Sequence, residues 1–210
     1  MTKQKTPTPK TLVIHPADES TWFLDITYKD LPNTTVVTGG VSKQEVLDLI
    51  RSHDRVMMMG HGSPGGLFSV GQFTGEYGFI IDGDAVPLLR EKKDCVFIWC
   101  FASDFVKKHG LSGFSSGMFI SEVGEAMFCK VKANQKLVDE SNFLFVEEVG
   151  RYAHEDAVTM HSKVTQGPYK AMASANPVAK YNYARLAHFD GQQQPDSSFA
   201  TFGRGASRVP

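Results

Sequence analysis

Long apolar runs are missing from this chain of 210 residues. No stretch approaches the roughly 18–20 residues that a membrane-spanning helix needs. The opening decapeptide MTKQKTPTPK has no apolar core, so it is not expected to be a secretory signal. Net charge is also nearly absent, since 22 Lys and Arg stand against 23 Asp and Glu. A surface built to hold a polyanion needs a basic excess, so neither nucleic acid nor a membrane is expected as a partner. Cysteine is scarce, at three residues, Cys95, Cys100 and Cys129. An odd, sparse count suits free thiols and a reducing, cytoplasmic setting, with burial as the ordinary fate of each.

What remains is the composition of a globular domain, with 41% apolar and 21% charged residues. The expected division is a mobile tail over residues 1–10, one domain over 11–189, and a flexible tail over 190–210 that is rich in Gln, Ser, Gly and Pro. TLVIHP reads as a first strand stopped by proline, and TTVVTG as a second, β-branched one. Between them Ser20 or Thr21 could cap a helix carrying Trp22, Phe23 and Ile26. Ser42 with Glu45 three residues on forms a capping box for a helix striped by Val46, Leu47, Leu49 and Ile50. RVMMMG and DCVFIWC are further apolar strands, and GMFISEVGEAM reads as a fifth strand running into a helix. Helices are expected over Glu140 to Tyr152 and Glu155 to Thr165. Strands apolar on both faces, alternating with helices, predict an α/β three-layer sandwich with a mostly parallel central sheet.

In such a sheet, ligands bind beyond the carboxyl ends of the strands. RVMMM runs out into Gly60-His61-Gly62, and the next apolar strand runs out into Cys100. A histidine between two glycines does nothing for a buried strand. Beside a cysteine it can do chemistry: imidazole takes the thiol proton, the sulfur attacks a carbonyl, and the imidazolium protonates the leaving amine. The N–H groups of Gly62 and Cys100 are candidate oxyanion donors. Flanking glycines would let a substrate backbone approach. Cys95 and Cys129 read as packing, and SVGQFTGEYG as a flap beside the histidine.

On MMMGHGSPGGLF and FIIDGDAVPLLREKKDCVFIWC, the chain resembles the caspase-like cysteine peptidases over about Thr11 to Met127. It also resembles a branch of small bacterial proteins that share the GHGSPGGLFS and SGMFISE patterns. The resemblance implies a caspase-like α/β sandwich, with Cys100 as nucleophile, His61 as general acid and base, a peptide or protein substrate, and no metal or other cofactor. The sequence departs from caspases proper at IWCFAS, where Trp99 stands in place of their alanine. The family's pocket draws on the loop after the first strand and on the neighbourhood of the cysteine. Asp18, Glu19 and Asp104 there suggest a preference for Lys or Arg, although Asp18 and Glu19 could equally lead into a helix N-terminus. The loop holding Ser115 and Ser116 is expected to line the cleft. Caspases pair edge to edge, so a homodimer is compatible with the resemblance.

Four other readings compete with this one. GFSSG fits a serine-hydrolase pattern with Ser115 as nucleophile, but the required strand before it and helix after it are inverted. A non-catalytic binding or regulatory domain on the same scaffold predicts an unreactive Cys100. Metal binding by His154 and His161 is disfavoured by their spacing of seven, and phosphate binding by GSPGG by the lack of a following Lys-Ser/Thr.

Overall fold

The computed structural model describes residues 8–191. Most of the two expected tails, residues 1–7 and 192–210, lies outside the described residues. A six-stranded sheet forms the middle layer. Its strands are β1 (Thr11–Ile14), β2 (Thr34–Val37), β3 (Arg55–Met59), β7 (Cys95–Ile98), β8 (Ser112–Ser116) and β9 (Leu186–Asp190), in the order β2-β1-β3-β7-β8-β9. The first five are mutually parallel, and β9 runs antiparallel to β8 at the edge. A small antiparallel sheet of β4 (Gly62–Ser63), β5 (Gly66–Phe68) and β6 (Phe79–Ile81) sits beyond the end of β3.

The inner strands are apolar on both faces, and their alternation separates two cores. Leu12, Ile14, Val56, Met58, Cys95 and Phe97 point to one face. There they meet α1 (Lys43–Ser52), α2 (Val86–Leu89) and α3 (Ala102–His109). Val13, Met57, Met59, Val96, Ile98 and Phe114 point to the other. That face is covered by a 3-10 helix (Glu19–Thr27) and by α5 (Gln135–Arg151), α6 (Ala157–Gln166), α7 (Pro168–Met172) and α8 (Pro177–Tyr183). A satellite cluster of Ile120, Ala126, Val138 and Val178 holds the short helix α4 (Val123–Phe128). The architecture is therefore a three-layer α/β sandwich.

The expected capping box forms: Glu45 N–H donates to Ser42 Oγ, and Ser42 N–H donates to Glu45. Other expectations shift. The fifth parallel strand is SGFSS rather than GMFISE, because Phe114 is the residue that fills the core beside β7. Helix α5 begins at Gln135, capped by Asn134, five residues before the expected start at Glu140. Strand β9 was not expected, and it takes Asp190 out of the C-terminal tail. The expected flap is tied down: Ser69 N–H donates to Gly78 O, Thr74 N–H to Val41 O, and the Phe73 side chain is buried.

His15 follows β1 and is buried. One ring nitrogen pairs with Tyr28 Oη at 2.9 Å and the other with Thr21 Oγ1 at 3.2 Å. Burial pulls its pKa down from 6.5 to about 4. Between those values the unfolded chain binds the extra proton, so stability is complete above pH 6.5 and falls as the pH drops toward 4. The loss is on the order of 3 kcal/mol. His53, His109 and His161 are shifted the same way by burial and add to the slope. Urea titrations from pH 7.5 to 4 should show this decline, and His15→Asn should flatten part of it.

Candidate active site

Strands β3 and β7 are hydrogen-bonded neighbours, with Met59 in register with Ile98. His61 and Cys100 each lie two residues past that pair. Parallel pairing thus delivers both side chains to the same rim. Both line a small hollow that also holds Phe119 and Glu125. Both also line an open cleft of about 570 Å³ walled by Phe68, Val70, Tyr77, Met118 and Phe128.

The turn carrying Cys100 joins β7 directly to α3. Phe101 adopts φ 67°, a left-handed conformation that costs a side-chain-bearing residue of the order of 1 kcal/mol. Ala102 N–H closes the turn onto Trp99 O. Among the described residues no backbone hydrogen bond engages the Cys100 N–H. The Cys100 thiol faces Phe119 O at 3.5 Å and Glu125 Oε1 at 3.7 Å. Burial first, then the Glu125 carboxylate, push it up to about 12. At rest, then, the sulfur is a thiol.

His61 is held by two residues that sequence reasoning did not join to it in this way. Ser20 Oγ lies 2.7 Å from His61 Nε2, and Asp18 Oδ1 lies 3.4 Å from the same nitrogen. The Ser20 hydroxyl donates its only proton to Asp18 Oδ1, at 2.5 Å. Ser20 must therefore accept at Nε2, so Nε2 carries the imidazole proton. In the neutral ring this leaves Nδ1 with its lone pair free to take a proton. Asp18 also caps the 3-10 helix through Ser20 N–H, and the Ser20 hydroxyl is the main reason its carboxyl sits below the usual carboxylate range. The chain Asp18–Ser20–His61 orients a base.

Several expected site residues stand elsewhere. Asp18 is engaged with Ser20 and His61 rather than forming an acidic pocket, and Glu19 is exposed. Asp104 is exposed in the first turn of α3 and is not among the residues lining the cleft. Ser115 and Ser116 are fully buried. Ser115 Oγ bonds Ser103 Oγ, and Ser116 Oγ donates to Trp99 O. Ser115 lies inside β8 rather than on a strand-to-helix turn, so the serine-hydrolase pattern has no exposed nucleophile. His154 is beside Glu155, and His161 is near Phe114 and His188. Among the described residues there is no cluster of three or more His, Cys, Asp or Glu placed to hold a metal, and no helix long and apolar enough to cross a membrane.

Gly62 is explained differently from the expectation. A Cβ there would overlap the Trp99 ring and stand 2.6 Å from Gly66 O. The space is filled by this chain's own tryptophan, whose Nε1–H donates to Ser63 O at 3.1 Å. Gly62→Ala should therefore destabilise the fold by about 1–3 kcal/mol through overpacking. Chemical unfolding followed by tryptophan fluorescence would register the loss. No family model, curated protein or solved structure matches the chain.

Proposed function

We propose that the chain is a cysteine peptidase of caspase-like type, using Cys100 and His61. The observation that carries this reading is the shared rim. A cysteine and a histidine end adjacent parallel strands and line one cleft, and the histidine is already set with Nε2–H toward Ser20 and Nδ1 free. The reaction follows from that arrangement. His61 Nδ1 takes the Cys100 proton while the sulfur bonds the scissile carbonyl carbon. The carbonyl π electrons move onto oxygen, where the N–H groups of Cys100 and Gly62 receive them. Collapse breaks the C–N bond, and the amine leaves with the proton from His61. Water, losing a proton to His61, then attacks the thioester, releases the acid, and the sulfur recovers the proton.

The expected preference for Lys or Arg loses its acidic pocket, because Asp18 is committed to His61 and Asp104 is outside the cleft. Glu125 is the acid that does line it, and that carboxylate is occupied by Cys100, Ser121 and Glu122. The walls are apolar and aromatic, so the fitting residue before the cut is a large apolar one. A second reading, a binding domain on the same scaffold, draws support from the resting thiol of Cys100.

A fluorogenic peptide panel varied at that residue separates the readings. The peptidase reading expects cleavage after Leu or Phe at least tenfold faster than after Arg or Asp. It also expects Cys100→Ala and His61→Ala each to remove turnover by a factor of 10² or more. Saturable binding of the same peptides without cleavage would favour the binding domain.

A further inference from the structure

Glu125 takes no part in the acyl-transfer steps, yet it stands against the nucleophile. Its Oε2 is saturated, accepting from Ser121 N–H at 2.6 Å, from the Ser121 hydroxyl at 2.9 Å and from Glu122 N–H at 3.1 Å. The carboxylate is thereby pinned, and its Oε1 is turned to Cys100 Sγ at 3.7 Å. The sulfur's other polar neighbour, Phe119 O at 3.5 Å, is also an acceptor. The carboxylate favours S–H over S⁻, since a thiolate would meet its negative charge, while the backbone hydrogen bond at Phe119 acts in the opposite sense and is the smaller effect. Elsewhere around the sulfur stand Cys129 at the end of α4 and His61 from the loop after β3, with Asp18 behind His61. Among the described residues, no lysine or arginine lines either part of the cleft to offset the acid.

We propose that Glu125 is a positioning residue that holds Cys100 as an uncharged thiol until the cleft is filled. This rests on the cysteine-peptidase reading and adds its regulation. Helix α4 suits the role. It is six residues long, and of these Ala126 is the buried one. Its last residue, Phe128, is 78% exposed and lines the cleft with Met118. A large apolar side chain entering there packs against Phe128 and Met118. Moving α4 by that contact withdraws Oε1 from the sulfur and leaves the thiol proton to His61 Nδ1.

The test is site-resolved alkylation of the whole folded chain by iodoacetamide from pH 6 to 10, read by mass spectrometry at each cysteine. The thiolate displaces iodide, so the rate reports thiolate population. In E125Q the amide oxygen can still accept from Ser121 and Glu122, and the amide nitrogen then faces the sulfur as a neutral donor. The expected result is a Cys100 profile moved down by at least one pH unit, or roughly tenfold faster reaction at neutral pH. Cys95 and Cys129 should keep their rates. An unchanged Cys100 profile in a variant with an unchanged melting temperature overturns the proposal. If E125Q does not fold, E125D keeps the charge but retracts it by one methylene. It should give a smaller shift in the same direction, and no shift there also overturns the proposal. Adding His61→Ala separates the two layers. Reaction that stays accelerated in E125Q without His61, with no peptide cleaved by the wild type, keeps the Glu125 effect and removes the peptidase. Peptide cleavage with no Glu125 effect does the reverse.

Discussion

The packing of Trp99 against Gly62 ties the site together. Trp99 immediately precedes the candidate nucleophile and Gly62 immediately follows the candidate base. The indole is 1% exposed, meets Phe97 and Phe105 edge-on at 5.8 and 5.7 Å, and donates to Ser63 O. It fixes the β7 turn to the loop after β3 without a covalent link. Sheet register brings the two turns to one rim, and the tryptophan sets how far apart they stay. The large ring fills the space that glycine leaves.

The electrostatics of the rim are divided between the two side chains. On the histidine side, Asp18 and Ser20 prepare a base by choosing its tautomer. On the cysteine side, burial and Glu125 hold the proton in place. Such a site is not charged in advance, as a permanently ionised Cys–His pair is. It separates preparation of the base from release of the thiol. The second event then depends on what enters a cleft whose walls are mostly apolar. A resting thiol is also less open to oxidation and stray alkylation than a thiolate.

Much of the scaffold was legible because its signals are periodic or chemically specific. VMMM and CVFI are apolar at every position, which marks strands covered on both faces, and the Ser42–Glu45 box announces its helix. That His61 and Cys100 share one rim was legible from their positions, each just past an apolar run. Other features were hidden for physical reasons. Strand β8, SGFSS, carries one large apolar residue, and its buried Ser115 and Ser116 are satisfied by Ser103 and by Trp99 O. Strand β9 is half-buried at a sheet edge and has no alternation to betray it. Asp18 and Ser20 lie 43 and 41 residues from His61, so no local pattern could show that they orient it. Glu125 sits in the first turn of α4, and only the three-dimensional approach of α4 brings its carboxylate to Cys100.

In the proposed reaction Cys100 attacks a peptide carbonyl placed in this cleft. The most direct measurement uses a short peptidyl acyloxymethyl ketone ending in Leu or Phe, which a thiolate captures by displacing the carboxylate. Intact mass followed by peptide mapping locates the bond. One adduct is expected, on Cys100, formed faster with the apolar ketone than with its Arg counterpart and prevented by excess apolar peptide. No adduct, or adducts spread over Cys95, Cys100 and Cys129 without regard to the peptide, would contradict it.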